Sequence, residues 1–333
     1  MKAVVWTQYG PPDVLQPRDL PDPKPRDDEI LVRIRATTVT AGDCELRELR
    51  LPFLISVAMR LLVGAVKPKR RILLGQEFAG DVVDVGTRVT RFRKGDRVFG
   101  TAGFRSGTYA EFICLPEFPK GLGGVVIKTP VDAGYEDAAA IPVGGLEALH
   151  FLRKADIRSG QTVLVNGAGG SIGTSAVQLA KHSGAEVTAV DCGSKLDMLR
   201  RIGADRVIDY TREDFTKHGE AYDVIFDVVG KAPIARGMRS LTESGVYLLA
   251  NPTLSKILRG RWAARGTKRR LLSGAANPTT ADLESLRELM EAGALRAVID
   301  RQYPLERVAE AHRYVETGRK AGNVIITVGQ DSA

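Results

Sequence analysis

An α/β fold, a doubly wound parallel sheet joined to a smaller β-barrel-like domain, follows from three features of this 333-residue sequence. The stretch from Thr162 to Asp191 reads as strand, tight glycine turn, helix and strand, one βαβ unit of about thirty residues. Short apolar runs punctuated by glycine fill the chain up to Gly121, the habit of small β-rich domains. Beyond Lys195, helix-like and strand-like segments alternate, which favours a parallel sheet covered by helices on both faces.

In chain order, Ala3 to Trp6 and Ile30 to Ile34 read as strands, separated by a proline-rich connection, Pro11 to Pro25, that excludes a helix. Strands are expected again at Glu77 to Val85, Arg97 to Gly100 and Thr108 to Cys114, with Gly86, Gly95-Asp96 and Gly103 as turns. The domain closes near Gly121 to Gly124, after Pro116 and Pro119. The apolar window Leu51 to Val66 is shorter than the roughly twenty residues of a membrane-spanning helix and carries Arg60. It reads as a core-packed helix; a pocket-lining lid is the alternative.

In the central unit, Val163 and Val165 suit a buried strand, while Ile172, Ala176, Leu179 and Ala180 recur at helical spacing and Gly184 is a helix stop. Ala168-x-Gly170-x-x-Gly173 stands where a dinucleotide fingerprint belongs, and Asp191 follows at about the twenty-residue distance. Such a turn sets a pyrophosphate on a helix N-terminus: Gly170 offers no side chain, and Gly173 lets helix and strand pack closely. Ala168, in place of the usual first glycine, keeps the turn nearly bare. A helix from Lys195 to Ile202, strands at Arg206 to Ile208 and Val224 to Val228, a helix at Ala232 to Leu241 and strands at Val246 to Leu249 and Arg270 to Ser273 complete the sheet. Thr279 caps a helix from Thr280 to Ala292 stopped by Gly293; a helix at Leu305 to Thr317 and a strand at Val324 to Val328 close the chain.

Composition is that of a soluble globular protein, 44% apolar and 26% charged. The three cysteines, Cys44, Cys114 and Cys192, form no disulfide framework, so a reducing, cytoplasmic setting is expected. No signal peptide and no transmembrane segment is read. The net charge of +8 concentrates in Lys67 to Arg71 and in Arg259 to Arg270, the latter with Trp262 inside it. These read as solvated faces; attraction to phosphates, nucleic acid or an anionic membrane is the less favoured alternative.

Several segments together resemble the medium-chain dehydrogenase/reductase superfamily: Met1-Lys-Ala-Val-Val, Gly75-Gln-Glu-Phe-Ala-Gly80, Lys94-Gly-Asp-Arg-Val98, Gly107-Thr-Tyr-Ala-Glu111, Gly203-Ala-Asp-Arg-Val-Ile-Asp-Tyr210 and Gly322-Asn-Val-Ile-Ile326. Within it the chain looks like the zinc-independent quinone oxidoreductase branch, which includes chloroplast-envelope quinone oxidoreductase-like proteins. The resemblance implies a GroES-like catalytic domain at 1–123, a Rossmann domain at 124–276 and a return segment at 277–333 that completes the catalytic domain. It also implies a homodimer.

Where the superfamily's zinc enzymes carry a ligand cysteine and histidine, this chain has Thr40 and Gln76, and no histidine precedes His150. A metal-free enzyme has no Lewis acid to acidify an alcohol, so the acceptors expected are already electrophilic: a quinone or an α,β-unsaturated carbonyl. The resemblance places Thr40, Asp43 and Gln76 around the space zinc would fill, with Tyr109 and Phe104 nearby. Thr40 and Gln76 are the expected oxyanion donors, Asp43 an orienting acceptor, and water or a tyrosine the proton source. Asp43 as a turn cap and Tyr109 as a core aromatic stay open.

The cofactor contacts expected are Ala168, Gly169, Gly170, Ser171, Ile172, Gly173, Asp191, Ser194, Lys195 and Tyr210, with Asn251, Gly274, Ala275 and Asn323 on the nicotinamide side. Asp191 suits a ribose hydroxyl and therefore NADH. The resemblance favours NADPH, which requires that Asp191 turn away or pair with Lys195. Glu147, where relatives usually have threonine, has no single reading. A zinc-type alcohol dehydrogenase, an enoyl-thioester reductase and a nucleotide-sensing RNA- or membrane-binding protein are the alternatives.

Overall fold

The computed structural model describes residues 1–50, 53–69, 72–119, 121 and 123–329. The chain opens with β1 (Lys2–Trp6), β2 (Leu15–Asp19), β3 (Glu29–Thr38), α1 (Ala41–Glu48), α2 (Phe53–Val63), β4 (Glu77–Val85), β5 (Arg97–Thr101), β6 (Phe112–Pro116), β7 (Val126–Lys128), α3 (Tyr135–Ala139) and α4 (Pro142–Ala155). There follow β8 (Thr162–Asn166), α5 (Ser171–His182), β9 (Glu186–Asp191), α6 (Leu196–Arg201), β10 (Arg206–Asp209), β11 (Tyr222–Asp227), α7 (Ile234–Arg239), β12 (Leu241–Leu249), α8 (Leu254–Ala264) and β13 (Arg270–Ser273). The last elements are α9 (Thr280–Glu291), β14 (Ile299–Pro304), α10 (Val308–Glu316) and β15 (Asn323–Thr327).

Two compact units result. One comprises Met1–Val143, Pro278–Glu291 and Ala297–Ala333, the other Gly144–Asn277 and Ala292–Arg296. The first boundary falls at Val143, beyond the 121–124 region, because β7 pairs antiparallel with β5.

The first unit is built on a seven-stranded sheet ordered β14-β15-β3-β4-β5-β7, with β6 paired to β3. Its core gathers Trp6, Ile30, Phe78, Val98, Val324 and Ile326. The proline-rich connection is not wholly irregular. Pro12 begins a short 3-10 turn, and β2 pairs only with β1, so Pro17 lies on a strand edge where its missing N–H costs no ladder bond. The apolar window forms α2, but it is not simply core-packed: Met59 and Val63 are buried, while Val57, Leu61 and Leu62 face outward.

The second unit is a six-stranded, all-parallel sheet ordered β10-β9-β8-β11-β12-β13. Its central strands β8 and β11 bury Val163, Leu164, Val165, Val224, Ile225 and Phe226 almost completely, as a sheet covered on both faces requires. The basic stretch is regular: Thr253 caps α8 by accepting from the Lys256 amide, and β13 follows as the sheet edge.

Candidate active site

Asp43 is the hub of the first unit. Thr40 is the N-cap of α1 and forms a capping box with it: the Asp43 amide donates to Thr40 Oγ1 at 3.1 Å, and the Thr40 amide donates to Asp43 Oδ2 at 3.0 Å. The Thr40 hydroxyl donates its single proton to Asp43 Oδ2 at 2.7 Å. Asp43 Oδ1 accepts from the Gly75 amide at 3.2 Å, and the Gln76 amide also hydrogen-bonds this carboxylate. Burial pushes the Asp43 carboxyl above its ordinary range, and these donors partly oppose that.

The geometry corrects two expectations. Thr40 turns a lone pair, not a proton, to any acceptor, because its proton is already on Asp43. Tyr109 is a fully buried core residue, so it is no exposed proton source; burial and the neighbouring Asp43 raise its phenol well above the usual tyrosine range. Gln76 is only half-buried and has two amide protons, so one remains after Asp43 is satisfied. Phe104 is 55% exposed.

Behind Asp43 lies a buried relay that sequence spacing does not disclose. The Tyr109 hydroxyl meets His312 Nε2 at 3.1 Å, and Arg47 Nη1 meets His312 Nδ1 at 3.1 Å, with Cys44 Sγ 3.3 Å from the same nitrogen. Arginine has no acceptor, so Nδ1 accepts and the Nε2–H points at Tyr109, whose own proton is then directed to Asp43. Burial first, and the Arg47 cation second, lower the His312 pKa to about 3, which keeps the ring neutral. Arg47 is itself fully buried; it donates to the Gly10 carbonyl at 2.9 Å and pairs with Glu48 and Glu316.

Glu77 is the second buried carboxylate. It accepts from the Thr38 hydroxyl and, at 2.7 Å, from the Val143 amide in the first turn of α4. Burial, partly opposed by those donors, raises its pKa to about 7. Since the folded value exceeds the ordinary 4.5, the stability it contributes is fully present below pH 4.5 and is lost as pH rises to about 7. Glu77→Gln, which can turn its oxygen to Val143 and its amide to Thr38, is expected to remove up to about 3 kcal/mol of that pH dependence. Urea unfolding of both proteins at pH 5 and pH 8 measures it; equal slopes would place no titration at Glu77.

In the second unit, α5 begins at the glycine turn. Its N-cap, Gly170, supplies no side-chain cap, so the first-turn amides are oriented for an anion. A Cβ on Gly173 would lie 2.3 Å from the Gly167 carbonyl, whereas one on Gly170 would find its nearest neighbour at 4.0 Å. Gly173 thus serves close packing and Gly170 faces open space, a cradle that fits a pyrophosphate. Ala168 and Gly169 shape the turn from within. The Ala168 amide donates to the Val190 carbonyl at 3.1 Å, and the Gly169 amide donates to Asp191 Oδ2 at 2.8 Å, so neither amide is left for phosphate.

Asp191 is turned inward. Besides Gly169 it accepts from the Cys192 amide at 2.8 Å and pairs with Lys195 at 3.2 Å, both side chains below one-tenth exposed. Ser194 is exposed beside Cys192, and Tyr210 is 61% exposed at the end of β10. The Asn251 amide donates to the Val228 carbonyl at 2.8 Å, bracing the ends of β11 and β12. Asn323 starts β15 in the first unit and donates to the Val298 carbonyl. Glu147, on α4, gains a definite role: it accepts from the Ala276 backbone and so holds the segment carrying Gly274 and Ala275. Burial raises its pKa.

A pyridine-nucleotide sheet with an uncapped glycine-turn helix, on a chain whose other unit carries a buried carboxylate hub, defines a two-unit dehydrogenase-type oxidoreductase. The family described as alcohol dehydrogenase GroES-like domain matches residues 26–122, and the one described as zinc-binding dehydrogenase matches residues 202–326. The chain belongs to the medium-chain dehydrogenase/reductase superfamily. It is 29% identical to 2-methylene-furan-3-one reductase of Solanum lycopersicum, over 98% of this chain and 79% of that one. It is 27% identical to a chloroplast envelope quinone oxidoreductase homolog of Arabidopsis thaliana, over 98% of each. The solved quinone oxidoreductase from Coxiella burnetii superposes with a TM-score of 0.86 at 29% identity, covering 99% of both chains.

The donor set does not suit the zinc that the second family's description implies. Thr40 and Gln76 offer neutral oxygen or amide groups, the Asp43 oxygens are engaged, and burial raises the Cys44 thiol far from thiolate beside the Arg47 cation. Among the described residues no group of three or more His, Cys, Asp or Glu side chains could hold a metal ion.

Proposed function

We propose that this chain is a zinc-independent, NADPH-dependent reductase of quinones or α,β-unsaturated carbonyls, working as a cytoplasmic homodimer. The observation that carries the reading is the Asp43 hub: where zinc relatives place metal ligands, this chain holds a half-buried amide with one free proton. The named activities of the relatives, quinone oxidoreductase and NADPH-dependent alkenal/one oxidoreductase, fit the same acceptors. A bound reduced nicotinamide would supply the hydride to the quinone ring or the β-carbon.

The protein's part is orientation and charge stabilisation. Gln76 donates its second amide proton to the oxygen that becomes an enolate or phenolate, and Asp43 fixes the amide plane. Thr40 sets the hub rather than donating to substrate, and solvent returns the proton. Ser171, Ile172 and Gly173 amides receive the pyrophosphate, Tyr210 stands by the adenine, and Gly274, Ala275 and Asn251 of the same unit serve the nicotinamide side. NADPH is favoured because Asp191 is paired with Lys195 and turned onto Gly169, so its charge is compensated where a 2′-phosphate would lie.

The test is a panel of quinones, enals, enones and simple alcohols with each nicotinamide, before and after chelator treatment. Unchanged quinone or enone reduction is expected; activity lost on chelation and restored by zinc would overturn the reading. Gln76→Leu is expected to lower kcat about a hundredfold with the KM for NADPH unchanged. Thr40→Val should instead cost about 1 kcal/mol of stability through the lost cap. Equal kcat losses in the two variants would return Thr40 to the donor role.

A further inference from the structure

The outer face of α8 carries an exposed apolar ridge. Leu254, Leu258 and Trp262, at four-residue spacing, are 74%, 58% and 75% exposed. Residues four apart share one helix face. The opposite face is fully used: Gly260 is buried so close to Leu271 and Ile234 that a Cβ would sit 2.6 Å from Leu271 Cδ2, and Ala263 and Ala264 pack on the unit's core. The ridge is therefore not slack in the packing of α8. Arg259 and Arg261 flank it on either side, both exposed, and among the described residues neither forms an ion pair.

Charge selects the partner. Between Glu243 and Asp282 the sequence has seven basic residues and no acidic one. A two-fold contact through this ridge would set those cations against their own copies, which disfavours a second copy of the chain. Leucine and tryptophan flanked by arginines match the boundary between headgroups and acyl chains at an anionic bilayer, where the ridge enters the apolar layer and the guanidinium groups meet phosphates. A nucleic acid would satisfy the arginines and leave the leucines in water.

The first unit repeats the chemistry independently. Val57, Leu61 and Leu62 of α2 and Val66 just beyond it are 42%, 73%, 55% and 84% exposed. Between Glu48 and Glu77 there are six basic residues and no acidic one. The two acid-free stretches carry more positive charge than the whole chain's net +8.

We propose that the Leu254–Leu258–Trp262 ridge of α8, with its flanking arginines, docks this protein on anionic lipid surfaces. The inference is separate from the identity of the acceptor.

Tryptophan fluorescence of the full chain tests it, because of the two tryptophans Trp6 is buried at 1% exposure and Trp262 is the exposed one. Vesicles of phosphatidylcholine carrying phosphatidylserine should shift Trp262 emission to the blue and protect it from acrylamide, whereas pure phosphatidylcholine should do neither; added salt should reverse the effect. Arg259→Gln with Arg261→Gln should weaken vesicle partition about thirty-fold, at about a tenfold factor per 1.4 kcal/mol and roughly 1 kcal/mol per basic residue. Leu254→Ser with Leu258→Ser should weaken it too, with Trp262 still shifting once bound. Near-ultraviolet circular dichroism and NADPH binding report that each variant is folded. No shift on anionic vesicles overturns the proposal. So does a shift that grows with protein concentration without lipid, or one given by single-stranded nucleic acid and not by vesicles.

Discussion

Replacing Arg47 by leucine is expected to lower the free energy of unfolding by about 3–5 kcal/mol, the cost of leaving buried partners of a charge uncompensated. The side chain is fully enclosed and every one of its nitrogens has a partner: the Gly10 carbonyl, His312 Nδ1, and the Glu48 and Glu316 carboxylates. Leucine would fill part of the volume but leave an imidazole nitrogen, a carbonyl and the Glu316 carboxylate without the donor that Arg47 supplies, while Glu48 keeps its pair with Arg50. The expected signature in urea is a lower midpoint at unchanged slope, since the same surface is exposed on unfolding. Glu316→Gln should cost far less, because that carboxylate is 23% exposed and reaches water. A loss below about 1 kcal/mol in Arg47→Leu would mean that His312 and Tyr109 are held by packing alone. In the range where the variant stays folded, kcat should fall with little change in the KM for NADPH, because the relay ends on Asp43.

That relay marks where the sequence stops being legible. Elements whose signal is local are read closely: β4 and β13 span the residues expected of them, and the Thr279 cap forms its box with Asp282. The glycine turn before α5 is equally plain, because Gly173 has no room for a side chain. Arg47, His312 and Tyr109 are different. Their contacts join residues 203 to 265 positions apart, and no periodicity encodes such a meeting. A lone histidine near the C-terminus looks like any packed residue until α10 is laid on α1. α8 is obscured for a local reason: three arginines and a glycine around one tryptophan read as a solvated face, and only the Thr253 cap and the small inner residues Gly260, Ala263 and Ala264 betray a helix. β2 hides behind Pro17, which an edge strand tolerates and an interior strand would not. Asp191 is the intermediate case. Its spacing from Lys195 allows a pair, but whether the carboxylate faces a ribose or its own turn is decided by the Gly169 amide, whose Cβ-less geometry leaves Lys195 room to approach.

Lys195→Ala is expected to reduce kcat/KM for NADPH about 30- to 100-fold, about 2–3 kcal/mol, while changing that for NADH only a few-fold. The lysine compensates a carboxylate that cannot leave: Asp191 is held by the Gly169 and Cys192 amides and is nearly buried, so removing the cation leaves a fixed negative charge where a 2′-phosphate would lie. Asp191→Asn has the opposite sign. It keeps an oxygen for one of the two amides and frees Lys195 for the phosphate, so preference for NADPH should rise. The double variant separates the explanations. If the single-site losses come from an uncompensated charge, Asp191→Asn added to Lys195→Ala restores much of the NADPH activity, and the cycle shows strong coupling. If Lys195 instead acts only by touching the phosphate directly, the double variant stays as poor as Lys195→Ala. Equal losses with NADPH and NADH in Lys195→Ala would mean that the pair maintains the glycine turn for both cofactors, and the preference for NADPH would then have to come from Ser194 and the exposed face around Tyr210.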